Sequence, residues 1–260
     1  MEQENMRTNI LPGAGPFYFE GNNVGILMFH GFGGGTCADL KYLAQELFNQ
    51  KGYTIYLPLL PGFGTNPENL RNTQIKEWME KVEEAYDYIQ EKCNLIIVGG
   101  HSIGGVISFL IAKSHEINGL FAISAPIAIR GIAPILAPLI YPVVKFHKID
   151  AEQFKKDTGG KWVGYTKIPI NIVKKINKLI KDMKEILSDI SCPILLFQGR
   201  FDKQIKKKSM DYIYNTLKSL DKTKIWLKHN DHTILDSQDN SVIIRELINF
   251  IDRIINNKKN

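Results

Sequence analysis

Cysteine is scarce: Cys37, Cys93 and Cys192 are the only three in 260 residues, far apart and without a C-x-x-C pair. That argues against a disulfide framework and a thiolate metal site, and it fits a reducing compartment. Long apolar runs are missing too. None approaches the roughly 20 residues that a membrane-spanning helix needs. The polar, acidic opening Met1-Glu2-Gln3-Glu4-Asn5 has neither the basic nor the apolar region of a signal peptide. A cytoplasmic protein without stable membrane insertion is expected. The excess of positive charge is small, 33 Lys and Arg against 27 Asp and Glu for a net +6. The lysines gathered over 174–184 and 203–208 have no aromatic residues between them, so nucleic acid is not an expected partner. Internal repeats and low-complexity tracts are absent, and no metal site is expected.

What the chain does have is alternation. Phe17 to Phe19 reads as an edge strand, and Val24 to Phe29 as the continuous apolar run of a strand covered on both faces. A glycine loop from His30 to Thr36 leads to a helix with Leu40, Leu43, Leu47 and Phe48 on one face, ending at Gly52. Next come a strand over Tyr53 to Leu57, a Pro- and Gly-rich loop from Pro58 to Asn72, and a helix turning Ile75, Trp78, Val82, Ala85 and Ile89 inward. Later strands are predicted at Ile96 to Val98, Gly119 to Ser124, Pro193 to Gln198 and Lys224 to Lys228, with a last helix from Val242 to Ile255. Strands and helices in this succession demand right-handed crossovers and a mostly parallel sheet, an α/β fold.

The chemistry centres on Gly100-His101-Ser102-Ile103-Gly104. It joins an apolar β-branched strand to the helical pattern of Val106, Ile107, Leu110 and Ile111. Small residues around the serine let a sharp turn lift its hydroxyl clear of the sheet, which is a nucleophile elbow. A serine hydroxyl needs a base, and the base needs an acid to orient it. Asp202 follows a strand directly and falls at the same edge of the sheet; Asp231 adjoins the histidine, and Asp150 and Asp189 lie in or near an insertion. His232 sits between the last strand and the last helix, with His229 as its rival. For the oxyanion, the backbone N–H groups of Ile103 and of Phe32 in the glycine loop are the expected donors. That loop lacks the Gly-Lys-Ser/Thr of a phosphate loop and the third glycine of a dinucleotide fingerprint.

Between Pro126 and Ser191 stand roughly 60 residues, far more than a crossover needs. They read as an insertion over the carboxyl ends of the strands. Its first half, Gly131 to Val144, is apolar but broken by Pro134, Pro138 and Pro142, and is expected to be an irregular lid. Its second half places Ile172, Ile176, Leu179, Ile180, Met183 and Leu187 against a basic face of Lys174, Lys175, Lys178, Lys181 and Lys184. Transient contact with a lipid surface is the most that such a face would support.

His-Gly-Phe-Gly-Gly at 30–34, Asp39, Pro61-Gly62-Phe63-Gly64, Gly-His-Ser-Ile-Gly-Gly at 100–105 and Asp-His-Thr-Ile-Leu-Asp at 231–236 resemble the bacterial carboxylesterases and monoacylglycerol lipases of the α/β-hydrolase superfamily. The resemblance implies a sheet of seven or eight strands with helices on both faces and a small cap inserted after the sixth strand. It divides the chain into a core of residues 1–126 and 191–260 and a cap of 127–190. It implies a triad of Ser102, Asp202 and His232, oxyanion donors at Phe32 and Ile103, no cofactor, and hydrolysis of small-molecule esters of short to medium acyl chains or of monoacylglycerols. Substrate contacts are expected from Gly31, His101, Ile127, Leu136 and Leu139, in a monomer or weak dimer. The polar cap residue that holds glycerol in the lipases has no clear counterpart, so lipase and general esterase both stand. A non-catalytic binder on the same fold, or cofactor-free oxygen chemistry with the same triad, are the alternatives.

Overall fold

A computed structural model describes residues 10–32, 35–131, 140–141, 143–235 and 237–259. The strands β1 (Phe17–Phe19), β2 (Asn22–Phe29), β3 (Tyr53–Leu57), β4 (Leu95–His101), β5 (Gly119–Ile123), β8 (Ile194–Gly199) and β9 (Lys222–Leu227) form one sheet. Their order is β1-β3-β2-β4-β5-β8-β9, and only β1 runs antiparallel to its neighbour. β6 (Phe146–Lys148) and β7 (Lys167–Pro169) make a separate antiparallel pair.

Why the sheet is covered on both faces follows from β2. Leu27 and Phe29 point into one core and Ile26 and Met28 into the other, all fully buried. The first core is completed by α3 (Ile75–Gln90), α4 (Ile103–Ser114), α6 (Ile172–Ile186) and α7 (Ser209–Thr216). The second is completed by α1 (Ala38–Lys51) and α8 (Asn240–Lys259). Local signals set the helix ends. α1 stops where Gly52 takes φ 64° and donates its N–H to Phe48 O at 2.7 Å. α3 starts where Glu77 reaches back to accept the Gln74 N–H at 2.6 Å.

The chain runs from β2 to β3 on one side and later places β4 on the other. The strand order therefore reverses between β2 and β4, and in open α/β sheets the crevice beyond that reversal is where ligands bind. The insertion follows the fifth strand of the sheet rather than the sixth, because the first strand among the described residues is Phe17–Phe19. It carries β6, α5 (Ala151–Asp157), β7 and α6. No helix among the described residues is long and apolar enough to cross a membrane.

Tyr165 and Lys175 are among the residues that tie the insertion to the core. The Tyr165 hydroxyl accepts the Thr65 N–H at 2.7 Å and donates to Gly62 O at 2.6 Å. Lys175, expected on the outer basic face, instead turns inward: its ammonium donates to the carbonyl oxygens of Leu70 at 3.2 Å, Arg71 at 3.1 Å and Thr73. Those carbonyls end α2 (Pro67–Asn72), and the negative end of a helix is a favourable place for a cation. Burial lowers the pKa of that ammonium from its ordinary value. Tyr165→Phe strips a donor and an acceptor from this joint. Left-over buried polar groups cost about 1–3 kcal/mol, so a lower melting temperature with unchanged far-UV circular dichroism is the expected result.

Candidate active site

β4 ends at His101 and α4 begins at Ile103, so Ser102 alone makes the turn between them. Its backbone stands at φ 55°, ψ −119°, a conformation that a non-glycine residue adopts only when its surroundings force it. They do so by close packing. A Cβ on Gly104 would overlap the Phe29 carbonyl oxygen, and one on Gly100 would lie 2.5 Å from that same oxygen. The first turn of α4 is thus seated directly on the backbone of β2, and the Ser102 N–H donates to Ile123 O of β5 at 2.8 Å.

His232 and Asp202 come from loops after β9 and β8, at the same edge of the sheet. The His232 Nε2 is 2.9 Å from Ser102 Oγ, and its Nδ1 is 2.8 Å from Asp202 Oδ2. A carboxylate can only accept, so Nδ1 carries the hydrogen and Nε2 presents a lone pair to the serine hydroxyl. The other carboxylate oxygen, Oδ1, accepts the N–H groups of Gln204 at 2.9 Å and Ile205 at 3.2 Å. Burial alone would raise the Asp202 pKa. The hydrogen bond and charge of His232, with those two N–H groups, overcome it and hold the carboxyl below its usual value. An acceptor, an oriented imidazole and a hydroxyl in line can move a proton off the serine oxygen.

The rival residues are occupied elsewhere. His229 pairs with Asp239 at 3.1 Å with its side chain 59% exposed, Asp150 caps α5, and Asp189 binds Lys113 at 2.9 Å. Asp231 Oδ1 accepts the Thr233 N–H.

The loop after β2 is fixed by His30. Its Nδ1–H donates to Gly31 O at 2.8 Å, and its Nε2 accepts the Leu60 N–H at 3.2 Å. Burial holds this imidazole down to about 4, so it stays neutral and both bonds persist. Phe32 then packs on Phe63 and Trp78, at ring-centre distances of 4.8 and 4.7 Å. Among the described residues the N–H groups of Phe32 and Ile103 have no acceptor, and Ile103 opens α4 with its N–H outside the helical bonding pattern.

Two hollows flank Ser102. One of about 320 Å³ is walled by Ile129, Ile140, Ile168, Ile172, Val173 and Ile176 together with Phe32, Ile103 and His232. The other, about 70 Å³, holds Gly31, Asp39, His101, Trp162 and Thr158. Gly31 and His101 therefore border the site. Ile127 does not line either hollow: it is buried in the core with its N–H on Ser209 Oγ at 3.3 Å, and its neighbours Pro126 and Ile129 face the large hollow instead. Leu136 and Leu139 lie outside the described residues, as do Pro134, Pro138 and Pro142. The walls from β7 and the start of α6 went unread in the sequence, although Ile168, Ile170 and Ile172 at alternate positions were a signal.

Known proteins resemble this chain over most of its length. The family model described as serine aminopeptidase, S33 matches residues 23–239. A thermostable monoacylglycerol lipase of Bacillus sp. (strain H-257) is 31% identical over 242 residues, 93% of this chain and 95% of that one. A carboxylesterase of Bacillus subtilis (strain 168) is 28% identical over 243 residues, 92% and 96% of the two. A solved structure described with the metagenome-derived lipolytic enzymes LipS and LipT superposes with a TM-score of 0.86 at 25% identity, covering 94% of this chain and 99% of that one. The chain belongs to the S33 serine aminopeptidase family of the α/β-hydrolase superfamily, among its bacterial carboxylesterases and monoacylglycerol lipases.

Proposed function

We propose that the protein hydrolyses carboxylic esters of short to medium acyl chains, monoacylglycerols among them, through an acyl-enzyme on Ser102. The observation that carries this reading is the Asp202–His232–Ser102 chain of hydrogen bonds opening onto an apolar hollow of about 320 Å³. Ser102 Oγ attacks the ester carbonyl as its proton passes to His232 Nε2, and Asp202 stabilises the imidazolium. The oxyanion of the tetrahedral intermediate is taken by the N–H groups of Phe32 and Ile103. Collapse expels the alcohol, which receives the proton from His232. A water molecule then repeats the sequence to release the acid.

In this reading residues 127–190 are a cap that supplies most of the acyl-side wall. Each methylene buried there contributes about 0.8 kcal/mol, close to a fourfold gain in kcat/KM until the hollow is full. A series of p-nitrophenyl esters from acetate upward is expected to climb and then fall. Val173→Trp, which narrows the hollow, is expected to move the optimum to shorter chains. A profile that is flat, or unmoved by Val173→Trp, would show that the acyl group lies elsewhere. The same series separates hydrolysis from mere binding and from oxygen chemistry, since only hydrolysis releases p-nitrophenol and acid in equal amounts.

A further inference from the structure

Behind Ser102 stand groups that acyl transfer does not use. His101 is buried, and its Nε2 lies 2.8 Å from the carbonyl oxygen of His232. A carbonyl can only accept, so His101 carries its hydrogen on Nε2 and presents a lone pair at Nδ1. That Nδ1 is buried and has no hydrogen-bond partner. Such orphans are rare in folded proteins and ask for an explanation.

The Asp39 carboxyl comes from the first turn of α1, and its Oδ2 lies 4.0 Å from His101 Nδ1. The space beside both is kept open by Gly31, where a Cβ would lie 3.1 Å from His101 Nδ1 and 3.6 Å from Asp39 Oδ2. We propose that Asp39, as a neutral carboxylic acid, donates a hydrogen bond to His101 Nδ1 and is a positioning residue for the catalytic base. Asp39 holds His101, and His101 holds the backbone of His232. About 1.2 Å of side-chain movement closes the gap to hydrogen-bond length. This inference rests on His232 being the base.

The surrounding charges favour that state. Burial raises the Asp39 carboxyl to about 7. Facing the pair are His30 from the loop after β2, Cys37 before α1, and His232 and Asp202 from the loops after β9 and β8. Burial first, then His232 and His30, hold His101 down to about 3, against the opposing pull of the His232 carbonyl and Asp202. The buried Cys37 thiol is raised well above its ordinary value and stays neutral. The proton therefore resides on Asp39 rather than on His101. Below the ionisation of Asp39 the donor is present. Above it a carboxylate faces a lone pair, two acceptors repel, and His232 loses its anchor.

The test follows the rate at which a fluorophosphonate acylates Ser102 in the wild type, Asp39→Asn and Asp39→Ala, from about pH 5.5 to 9.5. The asparagine amide is a donor at every pH. The wild-type rate is expected to fall about fivefold to tenfold relative to Asp39→Asn as pH rises through roughly 7, while Asp39→Ala is slow throughout. With esters the change is expected in kcat and not in KM. A ratio of wild type to Asp39→Asn that is independent of pH would overturn the proposal, whereas an absence of labelling on Ser102 in every variant would overturn the esterase reading instead. The ¹⁵N shifts of the His101 imidazole in the wild type answer for Asp39 separately, even if a variant fails to fold or label. Nδ1 is expected to move through one ionisation near pH 7. A shift that stays constant there rules Asp39 out as the donor.

Discussion

Ser102→Ala is expected to lower kcat by about 10⁶-fold, the size of effect that removal of a serine nucleophile has in other hydrolases. The reason lies in how the hydroxyl is placed. Its oxygen is held 2.9 Å from His232 Nε2 by a backbone turn that no neighbouring side chain can imitate, so no other group takes over the attack. His232→Ala is expected to cost nearly as much, because an unassisted hydroxyl is a poor nucleophile, and the double variant no more than either alone. A fluorophosphonate is expected to label Ser102 and nothing else. Labelling on Ser108 or Ser124, or a double variant far worse than both singles, would show that the two do not act as one unit. His229→Ala serves as the control, since His229 is paired with Asp239 outside the site. It is expected to change kcat by less than about twofold.

Asp202→Asn is expected to lower kcat by roughly 10⁴-fold with little change in KM. The amide fills the same space, yet its NH₂ would meet the Nδ1–H of His232, which favours the wrong tautomer and turns the lone pair away from Ser102. The N–H groups of Gln204 and Ile205 constrain which way the amide sits: they require an oxygen at the position of Oδ1, which places nitrogen against His232. A variant retaining more than about a tenth of wild-type kcat would mean that another acid orients the imidazole. Asp231 and Asp239 would then be the residues to replace next.

Much of this site can be read from the chain alone, for a physical reason. Ser102, Asp202 and His232 each follow a strand or lie between a strand and a helix, and in a parallel sheet every such loop opens at one edge. Chain order and local turn chemistry therefore suffice to bring them together. Strand Tyr53–Leu57 was also legible to the residue, being bounded by Gly52 and Pro58. Other features resist such reading. β6 and β7 are three residues each, too short for a period to show, and pair only because the insertion folds back on itself. α2 was hidden in a loop rich in Pro and Gly, although Asn66-Pro67 is a sound helix start, with Asn66 Oδ1 accepting the Asn69 N–H at 2.9 Å. Lys175 sits among lysines that do face outward, and nothing in its own spacing tells that the end of α2 passes beneath it. The wall of the large hollow gathers Ile129, Ile168, Val173 and Ile205 from four separate places, so it depends on tertiary packing.

The seating of Gly104 on the Phe29 carbonyl bears on how this chain could be altered by directed evolution. Ser102 takes its position from two main chains in contact, whereas the walls of the large hollow are side chains on β7, α6 and the segment after β5. A combinatorial library confined to Ile129, Ile168, Val173 and Ile176 would therefore explore new acyl groups while the reacting oxygen stays where it is. Randomising Gly100 or Gly104 would yield mostly inactive clones of every specificity.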